Sequence, residues 1–87
     1  MASNNKILIA DDNQANCELL EAYLATVDCE VQVAVDGQDA LDKVTSESFD
    51  LMILDIMLPK LSGLEVAKRI RSTDMRFPIL MLSAKST

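Results

Sequence analysis

Apolar residues recur in two rhythms along this chain, and the two alternate. Lys6–Ala10 reads K-I-L-I-A and stops at Asp11-Asp12, the pattern of a short buried strand. Beyond it, Leu19, Leu20, Tyr23, Leu24 and Val27 recur at helical intervals, which predicts one apolar helix face with Glu18 and Glu21 turned away from it. Val31, Val33 and Val35 alternate with polar or small residues and predict a second strand. Asp36-Gly37 signals a turn, and Ala40, Leu41 and Val44 continue as a short helix.

Leu51–Leu54 predicts a third strand, apolar on both faces and ending at Asp55, and a loop with Pro59 follows. Ser62 and Glu65 form an S-x-x-E capping box, with Leu61 and Val66 at the positions of a hydrophobic staple. The helix they open is expected to carry Leu64, Ala67 and Ile70 inward, with Lys68, Arg69 and Arg71 on its solvent side or near its carboxyl end. Pro78 then introduces a fourth strand, Ile79–Leu82. The resulting order, β-α-β-α-β-α-β, predicts an α/β fold with a parallel sheet, right-handed crossovers and helices on both faces. In such sheets ligands gather at the carboxyl ends of the strands, so the residues that end the strands are the ones to examine.

Composition narrows the chemistry. The 87 residues suit one domain, 1–87, and 49% hydrophobic with 25% charged residues is ordinary globular composition. Eight Lys+Arg against fourteen Asp+Glu give a net charge of −6, which argues against nucleic acid as a direct partner. The absence of histidine removes catalytic triads, His-ligated zinc and an imidazole general base. Cys17 and Cys29 are too few for a disulfide scaffold and read as reduced thiols. Met1–Lys6 is polar and no apolar run exceeds four residues, so the expectation is a cytoplasmic protein with no membrane partner.

Three strand ends stand out: Asp11-Asp12, Asp55 and Ser83. Each has an unremarkable explanation on its own. A lone aspartate after a strand is usually a turn residue, an acidic pair can serve a helix N-terminus, and a single serine says little. Their conjunction points further. If the first and third strands are neighbours, three carboxylates converge, and such a cluster of oxygen ligands suits a hard divalent cation such as magnesium. A carboxylate beside such a cation can attack phosphorus.

The segments I-L-I-A-D-D-N at 7–13, D-L-M-I-L-D-I-M-L-P-K-L-S-G at 50–63 and P-I-L-M-L-S-A at 78–84 resemble the receiver domain of two-component response regulators. The resemblance runs from Lys6 to Ala84 and implies a flavodoxin-like sheet, here with strand order 2-1-3-4. It implies that Asp55 is the phospho-acceptor, that Asp12 binds Mg2+ directly and that Asp11 acts beside it through water. It further implies that the Met57 backbone carbonyl completes the metal shell, that Ser83 is the switch hydroxyl and that Ala84 leaves room for the phosphoryl group. The implied partner is a histidine kinase or phosphotransfer protein, with the receiver catalysing its own phosphorylation and dephosphorylation.

Compared with that family, a fifth strand, two helices and an invariant lysine are expected to be lacking. Lys85 lies two residues past Ser83 and does not match that lysine. An open fourth strand and an uncovered sheet face then predict a homo-oligomer. Two readings follow: a phospho-accepting receiver impaired by truncation, or a non-catalytic oligomerisation module built from a receiver fragment. An aspartyl phosphatase of the haloacid-dehalogenase kind fits less well, because Met57 stands where those enzymes need a second aspartate. A flavodoxin fits less well too, since no glycine- and hydroxyl-rich loop follows the first strand.

Overall fold

The computed structural model describes residues 5–58, 60–73 and 78–82. Its elements are β1 (Asn5–Ala10), α1 (Gln14–Leu24), β2 (Cys29–Ala34), α2 (Gly37–Ser46), β3 (Leu51–Asp55), α3 (Gly63–Arg71) and β4 (Ile79–Leu82). The sheet is parallel with order β2-β1-β3-β4, as the alternating pattern predicts. That is the arrangement of the flavodoxin-like receiver fold. No helix among the described residues is long and apolar enough to cross a membrane.

Strand alternation splits the apolar residues between two faces. Leu8, Ala10, Met52 and Leu54 point to the side covered by α2 and α3, where they meet Ala40, Val44, Val66 and Ile70. Ile7, Ile9 and Ile53 point to the other side and meet Cys17 of α1. With both faces of β1 and β3 buried, their sequences are almost continuously apolar, and this explains why they read so clearly as central strands.

Several faces differ from the sequence expectation. On α1 the inward stripe is Cys17, Leu20 and Leu24, whereas Leu19 and Tyr23 are exposed, and Val27, expected on the same helix, lies exposed beyond its end. Tyr23 keeps 67% of its surface in solvent. Apolar residues on two adjoining helix faces produced a stripe wider than one sheet face can cover. On α3, Val66 and Ile70 are buried and Ala67 is half-buried, but Leu64 faces solvent. Asp36-Gly37 opens α2 directly, Asp36 being its N-cap and accepting from the Asp39 N–H at 2.8 Å. Val35 lies just past the end of β2 and is exposed.

The predicted cap of α3 is present, with the Glu65 N–H donating to Ser62 Oγ at 3.3 Å. At the fourth strand, Leu80 keeps 53% of its surface exposed, and it pairs with Ile53 on the α1 side of the sheet. β4 is an edge of the sheet among the described residues.

Candidate metal centre

Register alone brings the first two acidic strand ends together. Ala10 lies opposite Leu54 in the β1–β3 pair, so the residues that follow each, Asp11 and Asp55, emerge side by side. Asp11, Asp12 and Asp55 each offer an oxygen within 4.8 Å of the other two. Asp11 is 3% exposed and Asp55 7%, while Asp12 is open to solvent.

The surrounding bonds fix these side chains. Asp11 Oδ1 accepts from the Asn13 N–H at 2.9 Å, and Asp11 Oδ2 accepts from Asn16 Nδ2 at 3.4 Å. The Asp11 N–H donates to the Ala34 carbonyl of β2 at 3.0 Å. Cys17 Sγ lies 3.4 Å from the Asp11 carbonyl, which anchors the start of α1 to the end of β1. Asp55 Oδ1 accepts from the Met57 N–H at 3.1 Å. Met57 therefore stands with its backbone beside the acidic cluster and its side chain in solvent.

Burial pushes the Asp55 carboxyl above its ordinary value, and the neighbouring Asp11 and Asp12 charges push the same way. The bond from the Met57 N–H opposes them. Among the described residues no cation pairs with the cluster. The ion pairs among the described residues are Lys6–Glu47, Lys43–Asp39, Lys60–Asp36 and Arg69–Glu65, and none uses these three carboxylates. Oxygen ligands that crowd one another without a counter-charge fit a hard cation of the magnesium or calcium type.

The loop after Asp55 is held by close backbone packing. A Cβ on Gly63 would overlap the Asp55 carbonyl oxygen, and the Gly63 N–H donates to the Ile56 carbonyl at 2.8 Å. A Cβ on Gly37 would likewise overlap the Leu61 carbonyl oxygen. Lys60 takes a left-handed conformation (φ 68°) and reaches Asp36 at 3.5 Å. Two glycines and one ion pair thus tie the loop to α2 and α3.

Among the residues expected at the site, Asp11, Asp12, Asp55 and Met57 are brought together. Ser83 and Ala84 lie outside the described residues; the residue before them, Leu82, is opposite Asp55 and its carbonyl accepts from the Ile56 N–H at 3.0 Å. The bond from Asn16 to Asp11 had no sequence signal. Gly63 had one, as part of the motif around Asp55, but its contact with the Asp55 backbone is visible only in three dimensions.

Residues 7–87 match the family described as the response regulator receiver domain. This chain belongs to that family. It is 48% identical over 82 residues to the alkaline phosphatase synthesis transcriptional regulatory protein PhoP of Bacillus subtilis, covering 94% of this chain and 34% of the relative. It is 42% identical over 81 residues to the transcriptional regulatory protein DltR of Streptococcus agalactiae, covering 93% and 36%. The chain thus spans about a third of the length of these curated relatives.

Among solved structures, the response regulator TrrA of Thermotoga maritima, in complex with Mg2+-BeF, superposes with a TM-score of 0.87 at 41% identity. That match covers 94% of this chain and 71% of the other. The receiver domain of the sensor histidine kinase PA1611 of Pseudomonas aeruginosa, with a magnesium ion in its active-site cleft, gives 0.88 at 29% identity and covers 95% and 70%. A receiver domain of two-component signalling is what the chain and its fold share with these proteins.

Proposed function

We propose that residues 1–87 act as one receiver domain, with its motifs in 6–84, in which Asp55 accepts a phosphoryl group. The donor is a phosphohistidine on a histidine kinase or phosphotransfer protein. One Asp55 carboxylate oxygen forms the new O–P bond as the N–P bond of the donor breaks, and the imidazole leaves with the electron pair and takes up a proton. Asp11, Asp12, Asp55 and the Met57 backbone carbonyl are the residues to hold Mg2+. When bound, that ion supplies positive charge against the phosphoryl oxygens. Asp11 and Asn16 act from the protein side: the Asn16 amide orients Asp11, and Asp11 sets the acidic field around the acceptor. Ser83, next after the residue opposite Asp55, is the hydroxyl assigned to the transferred group.

The observation that carries this reading is the convergence of Asp11, Asp12 and Asp55 within 4.8 Å at paired strand ends. Its test is transfer from an autophosphorylated histidine kinase. Label should move to the wild-type chain with Mg2+ present, stay on the kinase without it, and fail to reach Asp55→Asn. Movement of label onto Asp55→Asn contradicts the assignment.

A second reading rests on Leu80, which is exposed on β4, an edge of the sheet among the described residues. An apolar strand edge is a template for another chain, so a second copy could pair there and make the domain an oligomerisation module. If Asp55→Asn leaves every binding property intact while Leu80→Lys abolishes self-association, that reading wins. The acidic balance speaks only for these 87 residues, which span about a third of the transcriptional regulatory proteins PhoP and DltR.

A further inference from the structure

Among the described residues Lys60 alone takes a left-handed backbone, with φ 68°. Glycine adopts that conformation freely, but a residue with a Cβ is strained in it and must be held there by a neighbour. The neighbour is Asp36. Its Oδ1 accepts from the Asp39 N–H at 2.8 Å and caps α2, while its Oδ2 lies 3.5 Å from Lys60 Nζ. One carboxylate thus starts a helix and fastens the loop that follows Asp55. Beside it, the Leu61 carbonyl oxygen sits where a Cβ on Gly37 would be, so the loop backbone rests on the first residue of α2.

That loop leaves the sheet and returns at nearly one point. The Ile56 carbonyl accepts from the Gly63 N–H at 2.8 Å, and the Ile56 N–H donates to the Leu82 carbonyl at 3.0 Å. Between these ends the chain turns at Lys60 while the Met57 N–H stays on Asp55 Oδ1, at 3.1 Å. The bond from Met57 is the link between the turn and the acidic cluster.

We propose that Lys60 is a positioning residue for the metal centre, a role that rests on reading Asp11, Asp12, Asp55 and the Met57 carbonyl as Mg2+ ligands. Paired with Asp36, Lys60 holds the left-handed turn that keeps the Met57 backbone at the cluster, and so raises the affinity for Mg2+. This role has a sign that charge alone would not give. Removing a cation from a chain of net charge −6 should tighten Mg2+ binding by simple attraction, whereas loosening the turn should weaken it.

The test is a Mg2+ titration of the metal-free 87-residue chain followed by amide chemical shifts, with hydrogen exchange of the Met57 amide measured before metal is added. Lys60→Met removes the charge and keeps a long side chain. It should weaken Mg2+ binding roughly two- to fivefold, the scale of one exposed ion pair, and speed Met57 exchange while the β1 amides are unmoved. Asp36→Asn keeps the helix cap and should weaken binding by a similar factor. The double variant should bind about as well as either single one, because both remove the same contact. Lys60→Arg should restore binding to near wild type. Lys68→Met removes a cation from the exposed side of α3 and should not weaken binding. Lys60→Met that binds as tightly as wild type or tighter, unchanged Met57 exchange, or losses that add in the double variant would each overturn the proposal alone. A folded wild type with no Mg2+-dependent shifts would overturn the magnesium reading and the proposal together.

Discussion

The carboxylates of Asp11 and Asp55 lie within 4.8 Å of one another at the ends of two paired, buried strands, and no ion pair among the described residues offsets either. Two like charges placed this way oppose folding unless a cation joins them. The strain follows directly from β-sheet register, since moving either strand by one residue would turn one aspartate to the opposite face.

This gives a prediction for Asp55→Asn. Burial and the Asp11 charge raise the Asp55 pKa in the folded state, so its contribution to stability is fully present below the unfolded value and is lost as pH rises through the folded one. At neutral pH without metal, the asparagine variant should melt several degrees above wild type. Mg2+ should raise the wild-type midpoint and leave the variant nearly unmoved. Differential scanning calorimetry at pH 7, with and without Mg2+, measures both; a variant less stable than wild type without metal contradicts the account.

Gly63 makes a different kind of prediction. The atom that a Cβ would meet is the Asp55 backbone carbonyl, which cannot rotate away as a side chain could. Gly63→Ala should cost roughly 1–3 kcal/mol, the usual range for overpacking, or more if the loop cannot shift. In the fraction that folds, the Asp55 carboxylate should be displaced and its proposed phosphorylation slowed. Chemical denaturation gives the first quantity and a phosphorylation time course the second.

Acid should act through Asp36 in the opposite sense to Asp55. The Asp39 N–H, and then Lys60, hold the Asp36 carboxyl below its ordinary value. Its contribution is present above the unfolded carboxylate pKa of about 3.9 and is lost as pH falls through the lower folded value. Asparagine caps a helix about as well as aspartate but does not titrate. Asp36→Asn should therefore leave neutral stability little changed and flatten the decline in melting temperature at acid pH. An unchanged acid profile would show that Asp36 carries none of that decline.

The sheet and the convergence of three carboxylates were legible in the sequence because their physical causes are local. Ile7–Ala10 and Leu51–Leu54 are apolar on both faces, as a central strand must be, and each ends at an aspartate. Strand alternation with helices then requires the parallel arrangement. The inward faces of α1 and α3 were less legible. Leu19, Tyr23 and Leu64 are apolar yet exposed, and periodicity could not separate a core position from an apolar surface position. The bond from Asn16 to Asp11 and the contact of Gly63 with Asp55 depend on the angle at which a helix leaves its strand, which no residue spacing encodes.

The most direct test of the central claim is intact mass after incubation with Mg2+ and a small-molecule phosphodonor. The account predicts a gain of one phosphoryl group in the wild-type chain, dependent on Mg2+ and absent from Asp55→Asn. A folded wild-type chain that gains no mass, or a variant that gains as much as wild type, would contradict it.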